Sequence, residues 1–333
     1  MSSFWLIAFI VFVALTFDFV NGFHDAANSL ATVVATRVLS PTKAVILAAA
    51  FNFIAAFFLG TGVAATIGRG FVNTEIVTPQ VILAGLIGAI AWNLTTWYLK
   101  LPVSSSHALI GGFAGAAVAK AGLGGLVVGK WPSTLVFIVI APIIGLVLGY
   151  TLMVAVYWGF RRFSPARMDR WFRRLQILSA SLLSCAHGTN DAQKSMGIIA
   201  AVLFAAGFED SFHVPGWVIF ACAAAMGLGT LSGGWRVVHT MGARLTRLKP
   251  RSGFCAETGA AVSILFATWL GLPVSTTHVV TGAIAGVGSI QRVRAVRWAV
   301  ATDIIIAWIL TIPAAAIASA IAFFTIRLFA PKA

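Results

Sequence analysis

The chain carries the same polar motif twice, each time inside an apolar run too long for one straight membrane helix. Gly22-Phe23-His24-Asp25 aligns with Gly188-Thr189-Asn190-Asp191 at an offset of 166 residues. Leu101-Pro102-Val103-Ser104-Ser105-Ser106-His107 aligns with Leu272-Pro273-Val274-Ser275-Thr276-Thr277-His278 at an offset of 171, and Pro142 and Pro313 keep that second spacing. Two copies of one unit are therefore expected to build the fold. Residues 4–38 would make about 52 Å of helix against a hydrocarbon core of about 30 Å. The run 175–206 exceeds that core less strongly. Both are expected to be broken or tilted where their polar residues fall.

The other apolar runs are roughly 44–67, 80–99, 103–119, 134–158, 214–235, 254–271, 274–289 and 297–326. Only 10% of residues are charged and the mean hydropathy is +0.96, where a soluble domain carries about 25% charged residues. That argues against a soluble globular enzyme and for an all-α polytopic membrane protein of about ten transmembrane segments. Five segments per copy is an odd number, so the second copy is expected to enter upside down. The chain then divides into a first transmembrane repeat (1–158), a basic cytoplasmic linker (159–174) and an inverted second repeat (175–333). The runs 103–119 and 274–289 are short and begin at Pro. They either cross or are re-entrant, with their Ser/Thr turns near the midplane.

Lysine and arginine number 23 against 9 acidic residues, a net charge of +14. In a soluble chain this would suggest nucleic acid. Here the excess sits in short loops between apolar runs, so it reads as a topology signal, and nucleic acid is rejected as a partner. With the N-terminus outside and every run crossing, Arg37, Lys43, Lys100, the arginines from Arg161 to Arg174, the basic residues from Arg236 to Arg251, and Arg292, Arg294 and Arg297 fall inside. They total 17, against 5 outside: Arg69, Lys120, Lys130, Arg327 and Lys332. Both termini are thus expected outside. The N-terminal run has no preceding Lys or Arg and no small-residue cleavage site, and reads as a first span. Cys185, Cys222 and Cys255 lack metal-ligand spacing and do not suggest a disulfide framework.

The polar residues fall into two constellations. The first is Asp18, Asn21, His24, Asp25, Asn28 and Ser29 in one copy, with Ser184, His187, Thr189, Asn190, Asp191, Gln193, Lys194 and Ser195 in the other. Ionisable groups at such depth cost several kcal/mol unless they face a cavity or find partners. A break there would free backbone carbonyls for a cation, with a half-helix N-terminus aimed at the gap. The second constellation is Ser104, Ser105, Ser106 and His107 with Ser275, Thr276, Thr277 and His278. Each run follows Pro and opens a helix, so its hydroxyls and free N–H groups would cradle an oxyanion. Such a run is also an ordinary helix cap.

Two aspartates repel an anion, and the candidates hold no arginine and only one lysine, Lys194. The ligand is then a cation, or an anion accompanied by a cation or proton. Either fits a symporter with Asp25 and Asp191 binding the coupling ion, together with Asn21, Asn28 and Asn190. A protonated oxyanion such as hydrogen phosphate can donate a hydrogen bond to a carboxylate, whereas sulfate has no proton to give. The phosphate candidates are Ser104, Ser105, Ser106, Ser275, Thr276, Thr277, Gln193 and Lys194. His24, His187, His107 and His278 stand between structural and proton-relay roles. His213 and His239 read as loop or interface residues. Glu257 and Asp303 are further ionisables read as buried, without charged counterparts at Leu86 and Pro132, and Glu257 is a candidate for the ion path. No H-E-x-x-H, C-x-x-C or G-x-x-x-x-G-K-[ST] pattern occurs, so no structural metal, bound cofactor or ATP-driven step is expected.

With those residues in hand, the sequence resembles the inorganic phosphate transporter (PiT) family, whose signature is a duplicated G-x-N-D-x-x-N. The second copy reads His187-Gly-Thr-Asn-Asp-Ala-Gln-Lys-Ser195 and the first Asp18-Phe-Val-Asn-Gly-Phe-His-Asp-Ala-Ala-Asn28. Both are similar to the bacterial branch, and the P-V-S-[ST]-[ST]-H runs match over nearly the whole chain. The resemblance implies secondary phosphate transport across the cytoplasmic membrane, not catalysis. It implies proton symport, often of a neutral phosphate complex with a divalent metal, and phosphate between the Asp motifs and the Ser/Thr runs. Sodium-coupled relatives place Na⁺ at the Asp/Asn motif, where this chain has His24 for Asn. Sodium coupling and sulfate transport by the same fold are the alternatives. Phosphate and membrane lipid are the expected partners, together with a separate PhoU-like accessory protein and a second copy of the chain in a homodimer.

Overall fold

In hydrocarbon a backbone N–H or C=O has no water to turn to, so apolar runs of this length close their hydrogen bonds internally as helices. The computed structural model describes residues 4–58, 60–68, 76–127, 131–290 and 295–329, which are helical apart from turns and short connections. In chain order the helices are α1 (Phe4–Ala35), α2 (Pro41–Ala55), α3 (Gly62–Gly68), α4 (Pro79–Tyr98), α5 (Ser105–Ala121) and α6 (Trp131–Gly159). Then come α7 (Pro165–Ala205), α8 (Gly216–Ser232), α9 (Trp235–His239), α10 (Pro250–Trp269), α11 (Thr276–Ser289) and α12 (Trp298–Phe329). Proline opens α2, α4, α7 and α10, where its missing N–H costs nothing and its fixed φ already suits a helix. Arg69, Lys130, Arg292, Arg294 and Lys332, used above for orientation, lie outside the described residues.

The breaks expected in the two longest runs are absent. α1 and α7 pass through Gly22 and Gly188 unbroken, over 32 and 41 residues, or about 48 and 62 Å. These glycines allow close approach. A Cβ on Gly22 would lie 2.2 Å from the Met226 carbonyl oxygen of α8, and one on Gly188 2.5 Å from the Asn52 backbone of α2. Backbone carbonyls freed for a cation are therefore not found at either motif. The bend falls elsewhere. Gly216–Ser232 and Trp235–Gly242 meet at 61°, across Gly233 at φ +63°, a conformation that glycine adopts without a Cβ penalty. Most of the basic linker is also helical, since α7 already begins at Pro165.

Five helices of the described residues are long and apolar enough to cross a membrane, or six with the bent pair, against the ten expected. The site explains part of the shortfall. α7 and α10 hold polar side chains that lower their hydropathy, and α2 and α11 have only 15 and 14 residues. The outer surfaces of α6 and α12 are apolar, with Val139, Ile143, Ile309, Ile317 and Ile321 exposed. With the helices, this marks a multi-pass membrane protein.

The two halves interleave. α1 packs on α8 while α7 packs on α2, and α5 packs on α12 while α11 packs on α6. Repeat-related glycines allow these contacts: a Cβ on Gly115 would lie 2.1 Å from the Ala316 carbonyl oxygen, and one on Gly286 2.2 Å from that of Leu146. Each half thus supplies the walls against which the other half's short helix is held. Gly22→Ala should consequently destabilise the purified protein by about 1–3 kcal/mol through overpacking, read as a lower unfolding temperature in detergent. Gly124→Ala, with nothing within 4 Å of the added carbon, is the control. Equal midpoints for the two variants would refute the packing role of Gly22.

Candidate functional site

α1 and α7 pack on each other and bring their polar residues to the centre of the molecule. Asp25 and Asp191 are both buried, at 3% and 0% exposure. His24 Nδ1 lies 2.8 Å from Asp25 Oδ1, and its Nε2 lies 3.2 Å from Thr96 Oγ1 on α4. The Thr96 hydroxyl donates to backbone carbonyls of its own helix, so its oxygen is free to accept. His187 stands in the same relation to the other aspartate. Its Nε2 is 3.1 Å from Asp191 Oδ2, and its Nδ1 is 3.3 Å from Asn52 Oδ1. Asn52 Nδ2 donates to Thr230 (2.9 Å), which turns its oxygen toward the ring. Each histidine therefore lies between a carboxylate and a neutral oxygen.

Lys194, one turn along α7, is the central cation. Its Nζ donates to Asp191 Oδ1 and lies 3.5 Å from the Val274 carbonyl. The Ser275 run of α11 completes the centre. Thr276 Oγ1 donates to Asp191 Oδ2 (3.1 Å) and accepts from Asn28 Nδ2 (3.2 Å). Thr277 Oγ1 accepts from Asn28 (3.0 Å) and lies 3.5 Å from Asp25 Oδ1. Ser275 caps α11 by accepting from the His278 N–H (3.2 Å). Two hydroxyls, one amide and a helix start thus meet both aspartates.

The first Ser/Thr run is placed differently. Ser104 caps α5 by accepting from the His107 N–H, and Ser106 donates to the Val274 carbonyl (3.3 Å). The Ser105 hydroxyl has no hydrogen-bond partner, and no hydrogen bond links this run to either aspartate. His107 and His278 meet each other edge-to-face at 4.6 Å, and His278 stacks on Trp308 at 3.7 Å. They join α5, α11 and α12 and form no hydrogen bond to the aspartates. Gln193 Oε1 accepts from the backbone N–H groups of Val63 and Ala64, holding the start of α3. Asn190 donates to Thr268 and the Leu272 carbonyl, while the Asn21 amide has no partner. Glu257 is buried and accepts from Thr32 (2.5 Å), Gln176 (2.9 Å) and Ser179. Asp303 is exposed on α12, correcting its reading as buried, because that face of α12 has no neighbour. His213 is exposed and pairs with Glu209 at 3.3 Å. All three cysteines are free.

Several partners were not singled out from the sequence: Asn52, Thr96, Thr230 and Thr268, and Thr32, Gln176 and Ser179 around Glu257. A lone polar residue in an apolar run was the available signal, strongest at Asn52. Chemically, the centre can do two things. Asp25, His187 and Asp191 each offer a ligand atom, all within 4.8 Å of one another, a grouping fit for a small cation. Beside it, Thr276, Thr277, Asn28 and Lys194 offer donors to an oxyanion.

Comparison with known proteins adds to this geometry. Residues 21–319 match the phosphate transporter family. A protein of Rhizobium meliloti is 55% identical over 98% of both chains. One of Bacillus subtilis is 46% identical over 96% of both. One of Mycobacterium tuberculosis is 44% identical over 96% of this chain and 77% of its own. Each is called a "probable low-affinity inorganic phosphate transporter". A solved structure of a sodium-dependent phosphate transporter superposes with a TM-score of 0.86 at 25% identity, covering 97% of this chain and 99% of that one.

The Lys194–Asp191 pair has a consequence for stability. Removing one partner of a buried ion pair costs about 3–5 kcal/mol, while removing both costs far less. Lys194→Met should therefore lower the unfolding temperature sharply, and the double variant with Asp191→Asn should recover most of the loss. A double variant no more stable than Lys194→Met would show that the pair is not coupled.

Proposed function

The chain belongs to the phosphate transporter family, and on that basis we propose that it carries inorganic phosphate into the cell by proton symport. In this reading it sits in the cytoplasmic membrane as two inverted repeats with both termini outside. The observation that supports it is the meeting of Thr276 and Thr277 with Asn28 and both aspartates. An anion entering beside the start of α11 competes with Asp191 for the Thr276 hydroxyl and for Lys194. It wins only if the carboxylate gives them up, and a proton taken by Asp191 releases both. Proton uptake and anion binding are then linked through shared donors. His24 and His187 suit this step by position, since each lies between an aspartate and a second oxygen. Hydrogen phosphate also carries a proton that it can donate to Asp25, which sulfate lacks.

A second reading makes the coupling ion Na⁺. It is favoured by the Asp25–His187–Asp191 grouping and by the sodium dependence of the solved relative. A divalent metal carried with phosphate would use the same three ligands as its way station.

Radiolabelled phosphate uptake into proteoliposomes separates these readings. Under an inward proton gradient without sodium, the proposal expects uptake that collapses with a protonophore and resists excess sulfate. Uptake that begins only on adding sodium would replace the proton with Na⁺, and competition by sulfate would overturn the substrate. Asp25→Asn and Asp191→Asn should each lower gradient-driven accumulation at least tenfold at normal membrane insertion. Wild-type accumulation in both would remove the aspartates from the mechanism.

A further inference from the structure

Asp18 belongs to none of the contacts described above. It lies on α1, seven residues before Asp25, and so about 10.5 Å away along the same face. It is fully buried, and among the described residues it forms no ion pair. Its Oδ1 accepts from the Ser195 hydroxyl of α7 at 2.6 Å, while its Oδ2 has no hydrogen-bond partner. One turn further along, Asn21 is also fully buried, and neither its amide nitrogen nor its oxygen is bonded. Asp18 Oδ2 and both polar atoms of the Asn21 side chain are thus buried along one helix face without a nitrogen or oxygen partner, with the Cys222 thiol of α8 beside the Asp18 carboxyl. Buried polar atoms are seldom left in that state unless a ligand or proton completes them.

The repeat shows that packing alone does not ask for a carboxylate here. At the offset of 166, Asp18 corresponds to Ser184 and Ser195 to Ser29. Ser184 occupies its position by donating back to the Ala180 carbonyl at 2.8 Å, within its own helix. A small hydroxyl suffices in one half, and the other half has an acid. The titratable or charged groups that face it are Cys222 of α8 and Asp191 and Lys194 of α7. α4, which also packs on α1, has Tyr98 at its end as its one titratable residue. Lys194 is held by Asp191 and leaves Asp18 without a salt-bridge partner.

We propose that Asp18, with Ser195 and Asn21, is a second proton site, through which the coupling proton passes between the N-terminal end of α1 and the Asp25–Asp191 centre. A bare carboxylate at this depth would have one hydroxyl donor and no cation to compensate it, whereas a protonated one carries no charge that needs compensation. A sodium ion fits less well. It would ask for more oxygen ligands than one carboxylate, one hydroxyl and one amide provide, and for the Ser195 oxygen rather than its proton. The inference rests on the proton-symport reading, and it places one carboxyl group on the N-terminal side of the exchange at Asp191.

The test uses the full chain in proteoliposomes under imposed proton gradients at several external pH values. The wild type comes first. Uptake driven by sodium and not by protons would sink the symport reading, and with it the need for a proton site at Asp18. If the wild type is proton-driven, Asp18→Asn should lower that uptake at least tenfold and flatten its dependence on external pH. A merely structural residue would lower the amount of folded protein without changing that profile. Infrared difference spectra between acid and alkaline samples supply a second readout. A buried carboxylic-acid band should be present in the wild type and missing in Asp18→Asn. Should that variant fail to fold, Ser195→Ala is the alternative, and it should shift the same band by removing the hydroxyl that donates to Oδ1. A wild-type pH profile in Asp18→Asn, or a carboxylic-acid band that neither substitution moves, would overturn the proposal.

Discussion

A carboxylate inside a helix bundle with a lipid-facing exterior has to find its compensation within the protein, and the architecture around Asp191 is organised by that demand. Four groups from three helices reach it or its neighbours: Lys194 and His187 from its own helix, Thr276 from α11, and Asn28 of α1 through Thr276. The helix supplies part of this without tertiary help, since positions three and four residues away lie on the same face. Lys194 is at i+3 and His187 at i−4. The remaining donor, Thr276, has to come from another element, which fixes where α11 begins. The Ser275 cap sets that start, and the close packing of Gly286 on Leu146 holds the helix against α6. The charge in the centre and the glycine contacts at the periphery thus constrain the same short helix.

This dependence also accounts for which parts of the molecule could be read from sequence. The helical character, the duplication and the two aspartates were legible, because apolar runs and repeated ionisable motifs are local patterns. The unbroken course of α1 and α7 was not. Glycine beside a polar cluster reads equally as a helix break or as a place of close contact, and only the partner backbone distinguishes them. At Gly22 and Gly188 the partners are Met226 and Asn52, each far away in the chain. The unequal placement of the two Ser/Thr runs was likewise hidden. Ser104–Ser106 and Ser275–Thr277 share one motif, and the difference between them lies in what faces them. Asn28 presents an amide to one run, while its counterpart Lys194 turns to Asp191. Asp303 shows the opposite error, since an acid in an apolar run is buried only if a neighbouring helix covers its face.

The histidines illustrate how a duplicated scaffold reaches one chemistry by different routes. His24 and His187 are not repeat equivalents, for the offset pairs them with Asn190 and Asn21. One precedes its aspartate by a single residue and the other by four, yet each ring lies within 3.1 Å of its carboxylate and has a neutral oxygen beyond. A relation preserved across unequal positions is hard to attribute to the duplication itself. It points instead to the pairing of imidazole with carboxylate as the feature that the centre requires.

The same reasoning extends to the acids that lie off the centre. Asp18 corresponds to Ser184, and Glu257 to Leu86, so neither has a charged counterpart in the other half. A strictly repeated structure would present the same groups to both sides of its centre, with no chemical distinction between them. Here one carboxyl group stands beside Ser195 on the N-terminal stretch of α1. The other stands beside Thr32 on the C-terminal stretch, held by three donors in place of one. Along α1 the sequence of contacts is Asp18, Asp25 and then Thr32, spaced seven residues apart, so that one helix face meets an acid at each level. The duplicated motifs supply the central pair of aspartates, and the departures from the repeat make the stretches of α1 on either side of that pair chemically unequal.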